Sequence, residues 1–147
     1  MQFAGAKPYN DMINNWPNLK FSNGHRDGQI KFWNHEWARH GICSGLHHRQ
    51  YFEKALELKR KINIFQALRD YGIKPGDAYP RGRFEGALQR SKPHISFAMR
   101  CLDKNGIKIL IEIRVCTSKT HAIPCPGHLG DNCGRGDIKL VSKIEPF

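Results

Sequence analysis

The sequence has no long apolar run, few acidic residues and no internal repeat. A membrane-spanning helix needs about 20 consecutive apolar residues, and no stretch of this chain provides them. The first residues, Met1–Pro8, lack the basic start and the following apolar run of a signal peptide. We therefore expect no membrane partner. Either the chain stays inside the cell or a leader is absent from this sequence.

Acidic residues are scarce relative to basic ones. Asp and Glu number 13 and Lys and Arg number 24, which gives a formal net charge of +11 over 147 residues. This excess predicts a polyanionic partner, such as nucleic acid, an anionic membrane or an acidic glycan. The alternative is a soluble basic protein whose charge only keeps it dispersed. The length predicts a single domain over residues 1–147.

Cysteines are few and unevenly placed. There are five: Cys43, Cys101, Cys116, Cys125 and Cys133. Four lie in the last third of the chain among turn residues, a density that favours disulfide bonds over a cytosolic redox pair. An odd count leaves one thiol unpaired, and Cys43 is the isolated one. The cysteines thus favour a secreted protein whose leader is absent from this sequence.

The first half of the chain is predicted to be loop followed by helices. Residues 1–31 are rich in Gly, Asn and Asp and predict loop, with Trp16–Leu19 as an apolar anchor. Residues 32–41 and 49–71 predict helices, the latter in two segments. Asn63 is a candidate cap for the second segment, and Gly72 is a stop signal.

The second half predicts a short helix and then strands. A helix is expected over residues 83–90. Apolar and polar residues then alternate over 95–100 and 107–114, separated by a turn with Asn-Gly, which is a strong hairpin signal. A final short strand is expected at 138–141. The class is α+β, with an antiparallel β-sheet packed against several helices.

One segment carries candidate chemistry. On a helix at about 100° per residue, five side chains of residues 32–40 fall within an arc of about 140°. These five are Phe32, His35, Glu36, Arg39 and His40. Trp33 and Trp37 lie at the edge of the arc, where they can bury against the core.

This set of side chains suits phosphoryl transfer. A histidine can take a proton from a hydroxyl nucleophile, while arginine and a second, protonated histidine stabilise charge on phosphate oxygens. A carboxylate can orient its neighbours, and an aromatic ring can stack a base. Cleavage of RNA requires no metal or other cofactor, because the 2′-hydroxyl of the substrate is the nucleophile.

Two other interpretations of the segment remain open. One is a solvent-exposed helix face with ordinary polar residues. The other is a zinc site, for which His40, Cys43 and His47 at i, i+3 and i+7 are the candidate ligands. That arrangement needs a helix running through Gly41 and Gly45, which are poor helix formers.

The segment Phe32–Cys43 closely resembles the second active-site motif of the ribonuclease T2 family, FWxHEWxKHGTC. Other stretches are similar to further family motifs: Trp16–Leu19 to WPxL, Tyr51–Lys59 to YFxxALxLK, Gly72–Pro75 to GIxP, and Leu110–Cys116 to ELxEIxxC. The resemblance covers nearly the whole chain and is nearest to the basic plant S-RNase branch. It implies the α+β fold of that family without its N-terminal strands.

The resemblance assigns a role to each candidate residue. It implies that His40 is the base for the 2′-hydroxyl and that His35 contacts the phosphate. Glu36 and Arg39 would stabilise the pentacovalent transition state, with Arg39 in place of the usual lysine. The substrate-binding residues would be Phe32, which stacks a base, and Asn23. The implied products are a 2′,3′-cyclic phosphate and a free 5′-hydroxyl.

The resemblance also implies how the cysteines pair. Cys101–Cys133 would form an outer bridge and Cys116–Cys125 an inner one. The family partner of Cys43 lies upstream of the motif, and this sequence has no cysteine there.

The sequence contains nothing like FTIHGLWP, the family motif that carries the second catalytic histidine. We therefore expect a chain incomplete at its N-terminus. The first hypothesis is a secreted, monomeric RNA endonuclease, with a self-incompatibility role and a protein partner for that role among its possible functions. The alternative is a non-catalytic relative that binds RNA or a protein partner.

Overall fold

The computed structural model describes residues 6–19, 26–118, 121, 123–127 and 129–142. Its helices are α1 (Ala6–Asn15), α2 (Arg26–Glu36), α3 (His48–Ile62), α4 (Ile64–Asp70) and α5 (Arg81–Ser91). Its strands are β1 (Ala78–Pro80), β2 (Phe97–Lys104), β3 (Ile107–Val115) and β4 (Asp137–Lys139). A π-helical turn (Trp37–Gly41) and a 3-10 turn (Ile42–Ser44) follow α2. The α+β class is confirmed.

The chain divides into two compact units, Met1–Ile62 and Asn63–Phe147. The first contains helices, and the second contains two helices and the sheet. A single domain over residues 1–147 stays a prediction. Among the described residues, no helix combines the length and apolarity needed to cross a bilayer.

Helix α1 lies in a region predicted as loop, so that prediction was wrong. Tyr9, Met12, Ile13 and Trp16 are spaced i, i+3, i+4 and i+7, and all four pack in the core of the first unit. The Asn and Asp residues between them lower the intrinsic helix propensity. Burial of the apolar stripe outweighs that propensity.

The predicted helix over residues 32–41 is a composite. Its first part is the end of α2, which begins at Arg26 and ends at Glu36. From Trp37 the chain continues as the π-helical turn, closed by a hydrogen bond from the Ile42 N–H to the Trp37 carbonyl. A bond between residues five apart makes the turn one residue wider than in an α-helix.

Aromatic side chains form most of the core of the first unit. Trp33 and Phe52 are 0% and 1% exposed. The Trp16 ring meets the Phe52 ring edge-on at 5.2 Å, and the Tyr9 ring meets the Trp33 ring at 5.6 Å. Such edge-to-face pairs add to the free energy gained from burial alone.

Helix α4 begins and ends at the predicted signals. The side-chain oxygen of Asn63 accepts a hydrogen bond from the Gln66 N–H at 3.2 Å, which satisfies one of the first free amides of the helix. Gly72 follows with φ at 71°, a backbone conformation in which glycine has no steric cost. Phe65 lies on the outer side of this helix and is 55% exposed.

The sheet has the order β1-β4-β3-β2. Strands β2 and β3 form the predicted hairpin, with positive φ at Asn105 and Gly106, as a two-residue turn requires. Strand β4 pairs antiparallel with β1 and parallel with β3. The sheet is therefore antiparallel except at the β3–β4 pair. Strand β1 was not predicted.

The second unit is held by packing, by covalent bonds and by ion pairs. Phe84, Met99 and Ile138 lie in its core and are fully buried. The structure contains both bridges that the resemblance implies, Cys101–Cys133 and Cys116–Cys125. Near them, Arg81 of α5 contacts the carboxylate of Asp131 through two nitrogens, at 2.6 and 2.9 Å.

Candidate active site

We define the site helix as α2 together with the π-helical turn, Arg26–Gly41. One side of it is anchored in the core of the first unit. The indole Nε1 of Trp33 donates a hydrogen bond to the Trp16 carbonyl at 2.8 Å. The buried Gln29 accepts one from the Asn18 N–H, also at 2.8 Å. These contacts fix which side of the site helix faces the core. The burial of Trp33 was predicted.

The four candidate catalytic side chains lie on the site helix and reach solvent. His35, Arg39 and His40 are exposed, and Glu36 is half-buried. Within the described part of the chain, no hydrogen bond or ion pair joins any two of these four. Nor do these four side chains form a hydrogen bond or ion pair with any other residue that the structure describes, and donors and acceptors of this kind are what binding a phosphate group requires.

The π-helical turn changes the spacing on which the predicted arc was based. An even 100° per residue separates positions five apart by about 140°. Where the backbone closes with i to i+5 bonds, each residue turns through less than about 100°, and positions five apart are separated by a smaller angle. The turn therefore brings His40 closer to the line of His35 than an α-helix would.

The two predicted substrate-binding residues have different outcomes. Phe32 is half-buried and packs against the core of the first unit, so only part of its ring is available to a base. Asn23 lies outside the described residues. Their roles in substrate binding stay predictions.

Tyr51 is a neighbour of the site that the sequence did not indicate. Its ring lies 5.6 Å from the Trp37 ring, and its other neighbours are the rings of Trp16 and Phe52. Burial raises the pKa of Tyr51, and the carboxylate of Glu36 adds to the effect. The phenol therefore stays protonated at neutral pH and is a hydrogen-bond donor beside the site. Tyr51 is revealed as a neighbour only by the contact between α3 and the site helix.

A histidine pair lies at the start of α3. The rings of His47 and His48 are 3.9 Å apart between centroids, and His48 meets Trp37 edge-on at 6.3 Å. Burial lowers the pKa of His48, and the adjacent His47 lowers it further. His48 is therefore neutral at neutral pH.

The arrangement proposed for zinc does not form. Among the residues described, no group of three His, Cys, Asp or Glu side chains is placed to hold a metal ion. Between His40 and His47 the chain leaves the helix through a 3-10 turn and through Gly45, whose φ is 68°. The i, i+3, i+7 face therefore does not exist. Cys43 is an exposed free thiol.

Comparisons with known proteins agree with the family motifs found in the sequence. A model of the Ribonuclease T2 family matches residues 2–125. The chain is 38% identical to intracellular ribonuclease LX of Solanum lycopersicum over 140 residues, which are 91% of this chain and 54% of the relative. The chain thus spans about half the length of the curated relatives it matches.

Solved structures show the same fold. RNase NT in complex with 5′-AMP superposes with a TM-score of 0.75 at 30% identity, over 90% of this chain and 66% of that one. The self-incompatibility-associated SF11-RNase of Nicotiana alata gives a TM-score of 0.81 at 22% identity, over 96% and 74% of the two chains. The second likeness shows the fold alone.

Proposed function

Because the chain belongs to the Ribonuclease T2 family, we propose that it acts in endonucleolytic cleavage of RNA through the 2′-hydroxyl of the substrate. The observation that carries the proposal is the site helix. His35, Glu36, Arg39 and His40 face solvent on a helix whose other side is fixed by Trp33. The rigid anchoring and the free polar groups together suit a site organised around phosphate.

His40 takes the proton from the 2′-hydroxyl in this proposal. The freed electron pair attacks phosphorus, and the bond from phosphorus to the 5′-oxygen breaks. The products are a 2′,3′-cyclic phosphate and a 5′-hydroxyl, and the leaving oxygen takes up a proton from water. Histidine is the side chain that most often takes and gives protons in enzymes at neutral pH, and an exposed imidazole can reach the substrate hydroxyl.

The other groups act on the phosphate. Arg39 presents a planar guanidinium that can contact two equatorial oxygens at once. His35 contacts a phosphate oxygen, and Glu36 orients the neighbouring cation. The exposed part of Phe32 stacks a base, and Asn23 assists there. That RNase NT is solved in complex with 5′-AMP supports a nucleotide ligand for this class of site.

The proposal extends to the setting of the protein. The two disulfides support a secreted enzyme, because such bonds persist in oxidising compartments, and a monomer is part of the same proposal. A self-incompatibility role with a protein partner belongs to the same proposal, and its support is the resemblance of the sequence motifs to the basic plant S-RNase branch. Secretion is tested by following a tagged full-length gene product, and retention inside the cell contradicts it.

A second candidate is a non-catalytic relative that binds RNA. The observation favouring it is that the sequence contains no segment like the first family motif, which carries the second histidine. Such a protein would bind RNA through its net charge of +11, with affinity falling steeply as salt rises.

One experiment separates the two candidates. The chain is incubated with an RNA oligonucleotide and with its 2′-O-methyl counterpart, in EDTA, and the products are analysed by mass spectrometry. The endonuclease proposal expects 2′,3′-cyclic phosphate ends from RNA and no cleavage of the 2′-O-methyl strand. Equal binding of both strands with no cleavage of either supports the binding protein instead.

A further inference from the structure

In the π-helical turn that carries His40, the ring of Trp37 lies against the backbone of Gly41. Gly41 is buried, and its Cα faces the indole of Trp37. A Cβ at Gly41 would lie 2.8 Å from Cζ3 and 3.1 Å from Cδ2 of that indole, and closer still to Cε3. No larger residue fits there unless the ring moves.

The backbone conformation of Gly41 does not itself require glycine. Its φ is −90° and its ψ is −32°, values that any residue adopts. The requirement for glycine therefore comes from the Trp37 ring alone. Gly86, which lies in α5, has open space where its Cβ would be.

Helix α3 also contacts the Trp37 ring. Tyr51 meets it at 5.6 Å and 65°, and His48 meets it at 6.3 Å and 71°. Both contacts are edge-on, an arrangement that aromatic rings favour. The ring thus has neighbours in α3 as well as in the backbone of its own turn, and it cannot shift freely.

His40 is the residue immediately before Gly41 and lies inside this turn. Its side chain is exposed, and no described residue forms a hydrogen bond or ion pair with it. The direction of its imidazole therefore depends on the backbone of the turn. We propose that Trp37 and Gly41 are positioning residues, whose contact sets the direction of His40. This inference rests on the proposed function of His40.

The principal test compares Gly41→Ala with the matched variant Gly86→Ala. Gly41→Ala is expected to lower kcat on the order of 100-fold, with KM changed far less, because a displacement of about 1 Å of a catalytic group has that effect. It should also move the side-chain NMR resonances of His40 and leave those of His94 in place. Gly86→Ala should change neither quantity.

The second test uses Trp37→Phe, a smaller ring, alone and together with Gly41→Ala. If the added methyl acts by meeting the indole, Gly41→Ala has a smaller effect on kcat and on the His40 resonances in the Trp37→Phe background. Should Gly41→Ala fail to fold, the double variant should fold as well as Trp37→Phe does. A double variant that also fails to fold overturns the contact.

A purely stabilising role gives a different result. Both variants would then unfold at lower temperature yet keep kcat, the pH profile and the His40 resonances when assayed well below that temperature, and the inference would be wrong. If the unaltered chain does not cleave RNA, the proposed function fails by itself. The His40 resonances of the variants still show whether the contact sets the imidazole.

Discussion

The elements of unit Met1–Ile62 contact one another mainly through aromatic rings, whereas those of Asn63–Phe147 are also joined by disulfides and ion pairs. Among the described residues of the first unit, the ion pairs, such as Lys54–Glu57, lie within α3. Ring packing fixes direction as well as distance. Ring contacts therefore orient the site helix in the first unit, whereas covalent and ionic bonds add to the stability of the second.

The largest expected effect on the free energy of unfolding comes from a substitution in the aromatic core of the first unit. Phe52 is 1% exposed, and Phe52→Ala should lower the free energy of unfolding by about 3–5 kcal/mol, because it loses buried area and leaves a cavity. Phe65→Ala is the matched control, since Phe65 is also helical but 55% exposed. Urea unfolding measures both. Similar losses for the two variants would contradict the importance of ring burial.

Removal of the outer disulfide should have the next effect. Cys101 and Cys133 are 32 residues apart, and replacing both by serine should cost about 4 kcal/mol through the larger entropy of the unfolded chain. The same change at Cys116 and Cys125, which are 9 apart, should cost about 2.5 kcal/mol. Thermal unfolding followed by circular dichroism gives the order. A larger loss for the shorter loop would refute this explanation.

The Arg81–Asp131 ion pair predicts that the free energy of unfolding of the second unit depends on pH. Hydrogen bonds from Arg81 lower the pKa of Asp131 below its ordinary value of 3.8, and the Asp131 carboxylate also accepts the Met99 N–H at 3.1 Å. Because the folded-state pKa is the lower one, this stabilisation is present above the unfolded pKa. It is lost as pH falls through the folded value.

Asp131→Asn should therefore cost about 1 kcal/mol at pH 7, a value reduced by the partial exposure of the pair, and the cost should shrink as pH falls through the folded-state pKa of Asp131. Glu57→Gln is the control. Lys61 and Lys54 lower the pKa of Glu57 to about 2, but its partners lie on the same helix. A loss for Asp131→Asn that is equal at pH 7 and pH 2 would be evidence against the ion pair.

The smallest expected effect is a gain. Gly86→Ala should stabilise the second unit by about 0.5–1 kcal/mol, because alanine favours the helix and its Cβ meets nothing within 4 Å. Chemical denaturation measures the gain. Destabilisation by this variant would mean that the space beside α5 is occupied, and it would remove the contrast with Gly41.

The sequence predicted those elements whose signals are local. Asn63 and Gly72 bound α4 through their own backbone and side chain, and Asn105-Gly106 specifies the hairpin by positive φ. Helix α1 was missed because its stripe is diluted by Asn and Asp. Strand β1 was missed because it is three residues long and exists through its pairing with β4.

The residue types of the candidate site could be proposed from the sequence, but their geometry could not. The spacing of the four candidate residues, His35, Glu36, Arg39 and His40, can be seen in the sequence, and the family resemblance implies their roles. The π-helical turn cannot be predicted from the sequence, because it depends on how closely the Trp37 ring approaches Gly41 and on contacts with α3. Such contacts arise only when the helices pack.

The role of His40 in RNA cleavage is tested by the cleavage rate of His40→Ala. His94→Ala is the control, because His94 is an exposed histidine of the other unit. His40→Ala should lower kcat/KM by at least about 100-fold, whereas His94→Ala should not. Equal rates for the two variants, or cleavage by His40→Ala at the unaltered rate, would contradict that role.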